Sequence, residues 1–102
     1  MLLHIDVVNK VATYQKRDGC IVCGNSGYQI EFNFDSEWLA SAHKTARFIW
    51  GGSTADVPFN GTICDVPIIS NAEKVVVGVF TNDRQTATTA TEIPCKKSIL
   101  CK

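Results

Sequence analysis

The stretch that decides the fold is residues 28–50, YQIEFNFDSEWLASAHKTARFIW. It opens in strict alternation, with Tyr28, Ile30, Phe32 and Phe34 on one side and Gln29, Glu31, Asn33 and Asp35 on the other. Side chains of a strand point to alternate faces, so this predicts a strand with one apolar and one polar face. Asp35-Ser36-Glu37 then reads as a capped helical turn carrying Trp38, with Asp35 as the cap and Glu37 as first-turn charge that complements the helix dipole. Alternation resumes over residues 45–50, where Phe48 and Trp50 share the face opposite Arg47. Strand, short plug, strand is a structural unit, and it contains no chemical constellation.

Working outward, Leu2–Val8 alternates in the same way, Asn9-Lys10 breaks it, and Val11–Tyr14 resumes it. Cys20-Ile21-Val22-Cys23 is a short apolar run closed by Gly24-Asn25-Ser26-Gly27. Downstream, Gly51-Gly52-Ser53 turns the chain into residues 54–59. Asn60-Gly61 is a strong signal for a two-residue hairpin returning along residues 62–66, because both central residues of a type I′ turn need positive φ. Pro58, which lacks an amide hydrogen, marks an edge or a bulge on this hairpin. Lys74–Thr81 is apolar on both faces, as a covered central strand is, and Gly78 within it predicts a bulge or a close backbone approach. Residues 81–91, rich in threonine, read as a mobile loop, and residues 92–100 as a last strand with Pro94 near an edge.

About seven short strands with regular turn signals predict an all-β protein, an antiparallel β-sandwich or barrel with the sandwich favoured at this size, as a single domain over residues 1–102. The expected core is Ile30, Phe32, Phe34, Trp38, Phe48, Trp50, Val75, Val77 and Val79. The two terminal strands read as exposed edges, open to swapping or pairing with neighbouring subunits.

Ten basic and ten acidic residues leave no net charge, which argues against binding nucleic acid through a strong basic field and against a polybasic membrane anchor. No apolar run has the length of a membrane span, and the first ten residues lack the features of a signal peptide. The expected location is the cytoplasm, at least until assembly. Five cysteines, an odd number, then fit reduced thiols.

Cys20-x-x-Cys23-Gly24 has the form of half a zinc site, but Cys95 and Cys101 do not supply a second half at ligand spacing, so buried small hydrophobes are the expectation. His4 and His43 lack a local nucleophile to activate and read as solvated. Asp35, Glu37, Asp56 and Asp65 form no acid–base pair at recognisable spacing. Trp38, Phe48 and Trp50 read as core rather than as a sugar-binding platform. No catalytic, cofactor or metal residue is assigned, and an enzyme is not expected.

FNFDSEW followed by KTARFIW resembles the F-x-F-D-x-E-W … K-T-A-x-F signature of small proteins and domains encoded in prophage and phage tail regions of Firmicutes. TICDVP, VVVGVF and the ending IPCKKSILCK are similar to later parts of that pattern, so the likeness runs over residues 24–102. The resemblance implies an immunoglobulin-like sandwich related to the N-terminal part of phage upper baseplate proteins, which attaches receptor-binding machinery to the tail. The expected function is therefore a virion structural or accessory protein that docks on the tail, baseplate or capsid. Its partners would be other phage structural proteins or itself, with no nucleic acid and no membrane, first in the host cytoplasm and then in the virion. The alternative is a small phage-encoded inhibitor of a host defence enzyme, acting by protein binding in the manner of an anti-CRISPR. A carbohydrate-binding module ranks third.

Overall fold

Alternation in the sequence becomes alternation in burial along the long strands. In β1 (Leu2–Val8) the side chains of Leu3, Ile5 and Val7 are fully buried, while His4 and Asp6 stay partly exposed. The computed structural model describes residues 1–38, 43–82 and 86–99, excepting the side chain of Glu37. Within them β1 is followed by β2 (Val11–Tyr14), β3 (Ile21–Val22), β4 (Gln29–Phe34), β5 (His43–Trp50), β6 (Ser53–Asn60), β7 (Ile63–Asp65), β8 (Lys74–Thr81) and β9 (Thr91–Lys96). Lys16–Asp18 and Ser36–Trp38 are short 3-10 turns.

Two sheets pack face to face as an all-β sandwich. One has the order β2-β1-β4-β7 and the other β3-β9-β8-β5-β6. The sheets are mixed rather than wholly antiparallel. β1 runs parallel to β4, with Leu3 opposite Ile30 and Ile5 opposite Phe32, and β3 runs parallel to β9, with Ile21 opposite Cys95. The remaining pairings are antiparallel.

The inward faces meet as one core. Ile30, Phe32, Trp38, Phe48, Val75, Val77 and Val79 are buried in it as expected, whereas Phe34 and Trp50 only pack against its margin. Leu3, Ile5, Val7, Ile21, Ile69 and Ile93 complete it. Burying each such aliphatic or aromatic side chain stabilises the fold by about 1.5–3 kcal/mol. At one end, the rings of Phe32, Phe34, Phe59 and Trp38 stack in succession at 5.1–5.4 Å between neighbours. Trp38 thus closes that end as a plug. Asp35 serves the plug differently from a side-chain helix cap: its carbonyl accepts the Trp38 N–H at 3.1 Å, and its carboxylate accepts the Asn9 N–H at 2.9 Å.

The turns also differ from the sequence reading. Asn9 and Lys10 both adopt positive φ, 53° and 64°, and close a two-residue hairpin between β1 and β2. Gly51 and Gly52 do the same between β5 and β6. At Asn60-Gly61 only Gly61 has positive φ, and β6 and β7 belong to different sheets. That segment is a crossing between sheets, not a hairpin, because turn residues record a change of direction and not the strand's next partner.

β8 is central, lying between β9 and β5. A Cβ added at Gly78 would meet Thr88 Oγ1 at 3.5 Å and the Thr89 carbonyl at 3.7 Å, ordinary contact distances, so the segment after β8 lies over this position without an unusually close approach, and the β5–β8 register passes through it without a bulge. The described part of the threonine-rich segment is docked rather than loose. Thr88 donates its N–H to Val79 O at 2.9 Å, and Thr81 donates to Thr86 O at 2.9 Å. The last strand ends at Lys96, and the expected strand residue Leu100 lies outside the described residues.

Candidate docking surface

A sheet end is a row of backbone donors and acceptors without a strand beside them, and among the described residues the sandwich has four such ends. Both terminal strands are interior: β1 lies between β2 and β4, and β9 between β3 and β8. The expectation that both are exposed edge strands is therefore corrected: β1 pairs with β4 over Leu2–Val7 and with β2 over Ile5–Val8, and β9 pairs with β8 over Thr91–Pro94 and with β3 at Cys95 and Lys96. The β2 end is closed by threonines. Thr89 Oγ1 accepts the Ala12 N–H at 3.2 Å, Thr91 Oγ1 accepts the Tyr14 N–H at 3.1 Å, and the Thr89 N–H donates to Lys10 O at 2.8 Å. β3 and β7 are two and three residues long. Among the described residues, β6, eight residues long, is the extended end that remains.

The chemistry of the β6 edge follows from its hairpin. Trp50 and Ser53 flank the two-residue turn as a hydrogen-bonded pair, so alternation directs the backbone groups of Ser53, Ala55, Val57 and Phe59 toward β5. Those of Thr54, Asp56, Pro58 and Asn60 point away from it. Pro58 fits this set, because a residue without an N–H is tolerated only where no ladder bond is needed. The side chains divide likewise: Thr54, Asp56, Pro58 and Asn60 are exposed, while Ala55, Val57 and Phe59 are half-buried, Val57 and Phe59 packing against the margin of the core.

Beside this edge, the outer face of β5 and β8 carries a shallow groove of about 160 Å³ lined by Arg47, Ile49, Val76, Gly78, Phe80 and Ala87. Arg47 Nε and Nη2 donate to the two Asp56 carboxylate oxygens at 2.8 and 2.9 Å, and its guanidinium lies 5.2 Å from the Phe80 ring centre. Asp56 thus tethers β6 to β5 across their outer face. On the inner side, the Lys44 ammonium sits 5.3 Å from the Phe34 ring centre and 5.6 Å from that of Phe59. Burial pushes its pKa down.

No family model, curated protein or solved structure matches this chain. The arrangement of its own side chains therefore carries the functional argument.

The thiols are packed into the structure. Cys23, Cys64 and Cys95 are buried and Cys20 is half-exposed; Cys101 lies outside the described residues. Cys23 donates to Ala72 O at 3.3 Å. Burial, aided by the neighbouring Cys23 and Cys20, pushes the Cys95 thiol up to about 12, and burial with the Asp65 charge does the same for Cys64. A thiol so held stays protonated and is a poor nucleophile and metal ligand. Among the described residues no three His, Cys, Asp or Glu side chains converge as metal ligands.

His4 is not simply solvated. Asp18 Oδ2 accepts its backbone N–H at 2.8 Å and lies 3.0 Å from Nδ1, and Glu31 Oε1 lies 3.6 Å from Nε2. The sequence placed Asp18 in a solvated turn, and its role was hidden because the Lys16–Asp18 turn folds back over β1. The group ties that turn to the outer face of the four-stranded sheet. His43 is exposed, with Nδ1 2.8 Å from Asn60 Oδ1. Asp65 accepts from Gln29 at 3.0 Å. Asp35, Asp56 and Asp65 are thus held separately, each by its own neighbours. Trp38 and Phe48 lie in the core, and Trp50 Nε1 donates to Ser70 Oγ at 3.3 Å. The three do not form an exposed platform. No helix among the described residues is long and apolar enough to cross a membrane.

Proposed function

We propose that the protein is a non-enzymatic docking module of a bacteriophage particle, joining tail, baseplate or capsid through the β6 edge. The observation that carries this is β6 itself: eight residues at the end of a sheet, interrupted as an edge only by Pro58, with half-buried Val57 and Phe59 at its margin. Strand addition to such an edge supplies main-chain hydrogen bonds and lets alternate side chains set specificity. The likeness of FNFDSEW and KTARFIW to phage tail-region proteins supplies the setting. On this reading the chain is made in the host cytoplasm and enters the virion. Its partners are phage structural proteins or further copies of itself, and it turns over no substrate.

The test is mass spectrometry of purified phage particles carrying the wild-type gene or Thr54→Pro. The wild-type protein is expected in the particle at a fixed ratio to a tail or capsid protein, and the variant at a lower one. A protein absent from particles but bound tightly to a host nuclease would overturn the proposal in favour of a phage-encoded inhibitor of host defence.

A further inference from the structure

We infer that the occupant of the β6 edge is the β6 edge of a second copy, the two strands running antiparallel about a two-fold axis through Val57. This rests on the reading of β6 as the docking edge, and it commits that reading to self-pairing in one register.

The outward-directed backbone positions are Thr54, Asp56, Pro58 and Asn60, and the centre of that set is Val57. An axis there pairs Thr54 with Asn60 of the second copy and Asp56 with its Pro58, so all four positions are matched. Each Thr54–Asn60 pair can exchange both ladder bonds. Each Asp56–Pro58 pair keeps the one in which Pro58 is the acceptor.

The neighbouring registers are worse for definite reasons. An axis through Asp56 sets that carboxylate against its own copy, and like charges directly opposite are destabilising. An axis through Pro58 sets two prolines opposite each other, so the central pair has no donor at all. In the Val57 register each Asp56 instead faces a neutral proline and keeps its ion pair with Arg47.

The inner side chains fit the same axis. Ala55 falls opposite Phe59 of the second copy, Phe59 opposite its Ala55, and Val57 opposite Val57. Small meets large at the flanks, and residues that are half-buried in one molecule are covered in the pair. The two five-stranded sheets would become one continuous sheet across the axis. A pair of eight-residue edges lies at the small end of interface sizes, so the pair is expected to exchange and to depend on concentration.

Cysteine cross-linking reads the register directly. In the Val57 register the two Val57 residues face each other as a non-hydrogen-bonded pair, with Cα atoms about 4.5 Å apart, within the roughly 4.4–6.8 Å that a disulfide spans. In a Cys20→Ser, Cys101→Ser background, Val57→Cys is expected to give a covalent dimer under mild oxidation, and Asp56→Cys is not. In light scattering, Thr54→Pro removes an outward N–H that β5 does not use and should weaken dimerisation roughly tenfold.

Cross-linking through position 56 in place of 57, or through neither, overturns the inference. So does a protein that is monomeric at every concentration. These outcomes are separable from the phage assignment: a chain found in particles that never cross-links at position 57 overturns self-pairing alone. A chain that cross-links at 57 but is absent from particles overturns the particle assignment and leaves self-pairing standing.

Discussion

The two flanks of the sandwich solve the same problem in different ways. On the β2 flank, amides at the end of one sheet are met by side-chain hydroxyls from the other, with Thr89 and Thr91 accepting from Ala12 and Tyr14. On the β6 flank the chain crosses between sheets at Gly61, and Phe32 donates to Thr62 O at 2.8 Å, while the rest of β6 ends its sheet. One flank is sealed from within, and the other is interrupted by a proline. The contrast teaches that an edge left without internal hydroxyls is the one to examine for an external partner.

The largest expected effect calibrates the contrast, because Phe32 belongs to the core that both sheets share. It is buried, stacks on Phe34 and Phe59, and pairs with Ile5. Phe32→Ala should destabilise the fold by about 3–5 kcal/mol, comparable with the whole stability of a small domain. A nearly unchanged thermal midpoint would mean that the two sheets do not share this core. The seal itself comes next. Thr89→Val with Thr91→Val should cost about 1–3 kcal/mol and speed hydrogen exchange at Ala12 and Tyr14, since two edge amides lose their acceptors. Equal exchange in variant and wild type would mean that the threonines do not close this flank.

The smallest effect concerns pH. The Tyr14 hydroxyl donates to Gly19 O at 2.8 Å, and burial, helped by Asp18, Cys20 and Cys95, raises its pKa from 10.0 to about 12. A proton held more tightly by the folded state contributes stability that is complete below the unfolded value and lost as pH rises through the folded one. The sealed flank should therefore weaken between pH 10 and about 12. Tyr14→Phe should fall less steeply over that range when thermal midpoints are followed against pH. Parallel curves would remove Tyr14 from the account.

How much of this was legible depends on what each residue type records. Parity was readable, so Leu3, Ile5, Ile30, Phe32, Val75 and Val77 could be set on inner faces before any coordinates. Direction was not. Nothing in Leu3 or Ile30 states that their strands run parallel, because alternation is the same in either orientation. Asn60-Gly61 misled because its chemistry suits both a hairpin and a crossing, while Asn9-Lys10 concealed a true hairpin behind a lysine in positive φ. The β6 edge was foreshadowed by Pro58, whose missing N–H is itself an edge signal. The threonine seal was not, since hydroxyls in a polar segment look like solvation until the strand they serve lies beside them.

The parallel pairing of β3 with β9 sets an order of assembly. Ile21 faces Cys95, so this contact closes across most of the chain, whereas the β5–β6 hairpin closes over two residues. Local hairpins form within about 1–10 μs, and contacts that close long loops carry a larger entropic cost and come later. On a chain emerging from the ribosome, Ile21 and Cys23 lack their β9 partners, Cys95 and Lys96 O, until the last residues have been made. The nascent protein therefore passes through an interval in which a thiol that is fully buried in the finished fold lacks the strand that completes its cover.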